Sequence, residues 1–391
     1  MRVRRATPCD FHSIKPINAQ TPSVFTNFIS KPNLSTRYRS VARLGVSLLV
    51  TAGLVLCSAG FASPGDESSH RFNHPGNILI TDQFNNRVIE IDPAGAIVWH
   101  FGNGPNDVSA NSIIGTNDAE RVGGLTLMAG TGAPGGTEPL CPPPNGCVDN
   151  RVMLVNPSGH IVWQYGTFGV TGSGFNQLSV PVQNTYLSGA HGNPHVLITD
   201  QGNGRIIDVR RSDKSIAWQY DGLNNPNSAE LLANGNILIA DENNNQALEV
   251  THTTPSTVVN TYTQAGGMLF SGVAFASRLP NGHTLITDSN NSRIVETDET
   301  GADFWHFFTN ARPGSNPMPL PTRAVRLANG DTLISDQFNH QVIRVDSSGN
   351  IVASYGNINQ PGIGTQNVSQ GMNGPYSAYV IHDYTGITPP H

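Results

Sequence analysis

The sequence predicts an all-β protein: a six-bladed β-propeller of four-stranded antiparallel blades, its ring closed by a C-terminal strand. Three observations carry this expectation. A phrase recurs six times, each copy contains strand-like periodicity, and a segment near the C-terminus repeats the opening strand of the copies.

The phrase is clearest at Gly76-Asn77-Ile78-Leu79-Ile80-Thr81-Asp82, continuing through Asn85-Asn86-Arg87-Val88-Ile89-Glu90 to Gly95 and Trp99. Its aspartate returns at Asp200, Asp241, Asp288 and Asp336, the last three at spacings of 41, 47 and 48 residues. A sixth copy lies between Asp82 and Asp200, split by an insertion at 129–149 that carries Cys141 and Cys147.

Within each copy the run before the aspartate is short and apolar or β-branched, as in a strand covered on both faces. The next strand alternates. Ile89, Met153, Ile207, Leu248, Val295 and Ile343 form one column, and Glu90, Leu154, Asp208, Glu249, Glu296 and Arg344 form the opposite one, expected to meet water. A last strand places an aromatic at Phe101, Tyr165, Tyr220, Tyr262, Phe307 and Tyr355. A weaker strand precedes these three, marked by Ala119, Ala229, Ala276 and Ala324, with Asn184 as the odd member.

Turn chemistry joins the strands. Asn234-Gly235, Asn281-Gly282 and Asn329-Gly330 suggest type I′ hairpins. Asp92 to Gly95, Asn156 to Gly159, Asp298 to Gly301 and Asp346 to Gly349 fit type I turns. Four strands cannot cover both faces of their own sheet, whereas copies set around an axis cover one another. Pro375 to Ile381 resembles Pro226 to Leu232 and supplies the inner strand that the first copy lacks.

Composition agrees with tight turns and buried strands. Of 391 residues only 13% are charged, while Gly numbers 41 and Pro 27. This excludes collagen, coiled coil and a multi-span membrane protein. The net charge of −6 averages two unlike pieces: residues 1–62 hold eight Lys or Arg and one acid, Asp10, whereas 63–391 hold fourteen basic and 27 acidic residues. With that acidic balance nucleic acid is not an expected partner.

The first 62 residues have the layout of a leader: Arg37, Arg39 and Arg43, then an apolar run from Leu44, then small residues up to Ala62. A cleaved secretory signal and an uncleaved anchor both fit, and a membrane is expected only through this leader. The expected location is exported, periplasmic or extracellular, with 63–391 forming a single propeller domain expected to be monomeric. There Cys141 and Cys147, with Pro-Pro-Pro-Asn-Gly between them, are expected to pair as a loop staple; two unpaired thiols are the alternative.

The run from Ile80 to Glu90 resembles the NHL repeat, and Trp99, Trp163, Trp218 and Trp305 resemble the blade endings of exported bacterial propellers of the arylsulfotransferase-like or quinoprotein-like kind. The resemblance spans about residues 70–381. It implies a scaffold that binds an unknown small molecule, glycan or protein, or alternatively an enzyme using a channel histidine for sulfuryl transfer or a metal-dependent lyase.

The repeated Asp and Asn residues could hold calcium, but a feature of nearly every copy is better explained as a backbone acceptor that each blade needs. Arg121, Arg278 and Arg326 share one column of the inner strand with Tyr186; with Arg323 they could hold an anion in the channel, or else pair with acids such as Glu120 and Glu230. His191 and His382 are the candidate catalytic histidines. No metal site and no cofactor are predicted. The insertion and the blade-to-blade connections fall on one face, which is the expected ligand surface.

Overall fold

A computed structural model describes residues 72–189, 192–363 and 371–383. The leader lies outside the described residues, as does His191.

Six four-stranded antiparallel sheets form the ring. In blade one, Pro375–Val380 is innermost and pairs with Ile78–Asp82, followed by Arg87–Ile91 and Ile97–Phe101. The C-terminal strand therefore closes the ring. The inner strands of blades two to six are Thr116–Val122, Pro181–Leu187, Pro226–Leu231, Val273–Arg278 and Pro321–Arg326. The second strands are almost wholly buried, as in Ile78–Asp82 and Thr284–Asp288, and their side chains fill the seams between blades. Burial of these Ile, Leu and Val residues stabilises the ring by roughly 1.5–3 kcal/mol per side chain.

Two expectations need correction. The column of Glu90, Asp208, Glu249 and Glu296 does not meet water: these residues are 0%, 3%, 5% and 7% exposed. A third strand in a ring faces a neighbouring blade on each side, so alternation there selects which blade is met. The Asn-Gly turns are also not type I′. Only the glycine has positive φ, 83° at Gly235, and its N–H donates to Leu232 O at 2.9 Å, which is a type I turn with a glycine bulge.

In blades one and three to six the second and third strands are joined by a single 3₁₀ turn, as at Gln83–Asn85, ending in a left-handed residue such as Asn86. The repeated aspartate leaves the second strand just before this turn. Asp82, Asp200, Asp241 and Asp288 each accept a backbone N–H from the incoming blade connection, at 2.7 to 2.8 Å, from Asn373, Ser179, Asn224 and Ser271. The other carboxylate oxygen holds Arg87, Arg205, Gln246 or Arg293. Asp82 and Asp200 stay buried enough to raise their pKa despite these partners. Blade two has Gly130 at this position. Asp149, across on the third strand, puts its carboxylate where a side chain at 130 would sit and accepts Ile114 N–H at 2.9 Å. The aspartates thus tie each blade to the loop that enters it.

Inside the insertion, strands Leu125–Ala133 and Cys147–Val155 extend the second and third strands of blade two, leaving 134–146 irregular. Cys141 and Cys147 form a disulfide with their Cα atoms 5.0 Å apart. Glu138 is buried against blade one, accepting from Asn86 Nδ2 at 2.5 Å.

Candidate functional site: the channel and its loop-rich mouth

The inner strands enter the ring at the face that carries the blade connections. Relative to the repeated alanine column, the residues one before and one after it face the following blade, and the residue two after faces the preceding blade. The free edge of each inner strand leaves N–H groups that the ladder cannot satisfy. Polar side chains from the preceding blade take them up. Asp118 accepts Asn184 N–H at 3.1 Å, Ser228 accepts Ala276 N–H at 3.3 Å, and Glu230 accepts Arg278 N–H at 3.0 Å. Glu120 accepts from Tyr186, Gln183 from Ala229, and the Tyr379 hydroxyl from Arg121. Burial, reinforced by nearby Asp118, pushes the Glu120 carboxyl up to about 8.

These contacts narrow the channel. At the loop-rich mouth Arg323 reaches Asp118 and donates to Ser377 Oγ at 3.3 Å, with its guanidinium 4.7 Å from the centre of the Phe275 ring. Tyr376 crosses from the closing strand to blade four and donates its hydroxyl proton to Asn227 Oδ1 at 3.0 Å. Burial and the neighbouring Glu242 raise the pKa of that hydroxyl. Asn227 Nδ2 donates in turn to Glu242 Oε2 at 2.8 Å, and a chain from Gln337 to Gln83 to Asn117 completes the rim at 2.7 and 2.8 Å. A cavity of only about 10 Å³ lies among the six inner strands here. That is below the size of ordinary ligand pockets.

The arginine column lies elsewhere. Arg121, Arg278 and Arg326 turn to the preceding blade and pair with Glu90, Glu249 and Glu296 at 2.6, 2.8 and 2.9 Å. The partners are therefore not Glu120 and Glu230, and the column does not form a common anion site with Arg323. Where the preceding blade carries Leu154, Asp208 or Arg344 in place of glutamate, the column holds Tyr186, Leu231 or Val380. Tyr186 packs in the seam between blades two and three, and its hydroxyl accepts from Arg211 Nη1 at 3.2 Å. His382 is exposed with φ of 61°, at the far end of the closing strand from the mouth.

Of the predicted residues that are described, only Arg323 lies at the channel mouth. Sequence reasoning missed Asp118, Tyr376 and Asn227, which share no column chemistry; their common signal is a polar residue just ahead of the alanine column.

The loop-rich face has a second property. Of the fifteen large hydrophobic residues exposed among the described residues, nine lie in the insertion and the blade connections, and the other six lie on outer strands. Phe175 is 73% exposed, Leu269 71%, Met318 60% and Ile363 80%.

The molecule is therefore a six-bladed β-propeller with a channel closed by its own side chains. No family profile and no curated protein matches the chain in sequence. Solved structures resemble it in fold. A protein of unknown function from Bacteroides caccae is 14% identical, with 72% of this chain and 93% of its own aligned at a TM-score of 0.50. Virginiamycin B lyase from Staphylococcus aureus is 14% identical over 63% of this chain and 71% of its own, at 0.42. BamB from Moraxella catarrhalis is 14% identical over 71% and 69%, at 0.36. At such identities the likeness is one of fold.

Proposed function

We propose that this protein is an exported, NHL-type propeller that acts as a binding scaffold, engaging a partner protein through its loop-rich face. The observation that carries this reading is the set of exposed apolar side chains on that face, contributed by the insertion and by four blade connections around the ring. Apolar groups gathered on one face of a rigid frame mark contact surfaces more often than solvated spacers do. The leader's sequence supports export, and so does the Cys141–Cys147 disulfide, which suits an oxidising compartment.

The test is photo-crosslinking in the native host. A benzophenone amino acid is placed at Phe175, Leu269 or Ile363, and at Asn234 or Ser348 on the opposite face as controls. Discrete adducts from the first set alone are expected. Adducts from neither set, or equally from both, would sink the proposal. Fractionation of the same cells should find the protein outside the cytoplasm.

A further inference from the structure

On the outer strands, the residue opposite the glutamate column is Trp99 in blade one, Trp163 in blade two, Trp218 in blade three and Trp305 in blade five. Each indole is an inter-blade part. Trp99, Trp163 and Trp218 donate their ring N–H to a carbonyl in the outer turn of the next blade, Pro157, Arg211 and Thr253, at 3.0, 3.0 and 3.1 Å. Where the column arginine is present, the ring lies over it: the guanidinium carbon is 4.8 Å from the Trp99 ring for Arg121 and 5.0 Å from the Trp305 ring for Arg326. That distance is in the range of cation–π attraction.

Blade four breaks the pattern. Asn260 stands opposite Glu249 where the tryptophan should be. The rest of the frame persists. Arg278 still pairs with Glu249 at 2.8 Å and also donates to the Tyr262 hydroxyl at 3.0 Å. Glu299 occupies the outer-turn position that Pro157 holds in blade two and Pro93 in blade one. At the sixth interface, where Ala353 replaces tryptophan, the Tyr355 hydroxyl reaches the Pro93 carbonyl at 3.5 Å. Between blades four and five a cavity of about 570 Å³ remains, lined by Arg278, Asn260, Glu299, Thr300, Tyr262 and His283. His283 is held from behind by Phe304, ring centres 4.0 Å apart, and by Glu296 at 2.8 Å. The volume is that of a small-ligand pocket.

We propose that this cleft is a receptor for an indole ring, which takes the place of the tryptophan the fourth blade lacks. The ring stacks on the Arg278 guanidinium and its N–H donates to the Glu299 carbonyl, the pair of contacts that Trp99 makes with Arg121 and Pro157 at the first interface. Asn260, Thr300 and His283 are left to contact the substituent that carries the ring. The ligand is either a free indole compound or a tryptophan side chain presented by a peptide. The cleft opens on the face opposite the connections, so it does not depend on the loop-rich face being a binding surface.

The experiment is calorimetric titration of the full chain with N-acetyltryptophanamide, its 1-methylindole analogue, N-acetylphenylalaninamide and a tryptophan-centred pentapeptide. Saturable binding of the tryptophan amide is expected, weakened about tenfold by methylation, which removes the N–H donor. The phenylalanine amide should bind no better than the methylated analogue. A tighter pentapeptide identifies a peptide ligand, and equal binding identifies the free compound. Asn260→Trp should fill the cleft, raise the melting temperature and abolish binding. Because that variant could misfold, amide shifts of Gly282 and Thr300 in the wild-type protein provide an independent readout and should move on titration. Absence of saturable binding, unmoved shifts at these amides, or full binding by folded Asn260→Trp would overturn the proposal.

Discussion

Arg323 of blade six reaches Asp118 of blade two across the strand that closes the ring, and Ser377 of that strand hydrogen-bonds both. One ion pair therefore spans three blades at the strand that closes the ring. Their side chains are 10% and 3% exposed, so removing one partner strands a buried charge. Arg323→Met is expected to lower the unfolding free energy by about 3–5 kcal/mol, with the double variant Arg323→Met/Asp118→Asn losing less than the sum of the singles. Urea unfolding followed by tryptophan fluorescence measures this; a loss below ~1 kcal/mol would mean the pair does not hold the closure.

The arginine column gives a second prediction, because the repeat contains its own control. Glu90 and Arg121 form a buried pair in one seam, while the equivalent positions in the next seam are Leu154 and Tyr186. Glu90→Leu or Arg121→Tyr alone leaves a buried charge without its partner. Each is expected to cost on the order of 3–5 kcal/mol, and the double variant should recover most of that. Glu90 also accepts from Asn73 N–H and Asn77 Nδ2, so recovery should stop short of wild type. Additive losses in denaturant melts would show that the two residues act independently.

These seams also show what the sequence made legible. Blade number, strand order and ring closure follow from periodicity, because the same local chemistry recurs and turn residues punctuate it. The placement of Arg121, Arg278 and Arg326 did not follow. Alternation on a strand separates its two faces, but in a ring both faces of an inner strand look at neighbouring blades, and the channel is met mainly by the strand's free edge. Asp118 and Tyr376 lie at that edge because the strand starts there, and neither belongs to a repeated column. Asn260 was legible only as a departure from one, and its meaning needed the indole contacts of the other blades.

Two buried carboxyls set a pH dependence. Glu120 is raised to about 8 by burial and then by Asp118, and Glu138 to about 7 by burial, against an ordinary 4.5 for each. The folded chain keeps protons that the unfolded chain releases above about pH 4.5. The stability from these groups is thus complete below that pH and is lost as pH rises through about 7 and then about 8. Glu120→Gln keeps an acceptor for Tyr186 N–H and has no proton to lose. Relative to wild type it should gain on the order of 2–4 kcal/mol between pH 5 and pH 8.5. A difference between the two proteins that is flat over this range would contradict the assignment.

Cys141 and Cys147 close a loop six residues in span, and Glu138, three residues ahead of that loop, is held separately on Asn86. A loop this short contributes about 2 kcal/mol in the chain-entropy model. Since 134–146 lies outside the six four-stranded sheets of the ring, that loss should stay local. The Cys141→Ser/Cys147→Ser variant is expected to be cut by a broad-specificity protease within 134–146, while its main melting transition shifts by less than about 5 °C. Adding Glu138→Gln should speed cleavage little at pH 5.5, where the wild-type carboxyl is largely neutral, because glutamine still accepts from Asn86. Cooperative loss of the whole ring on reduction would instead make the insertion part of the frame.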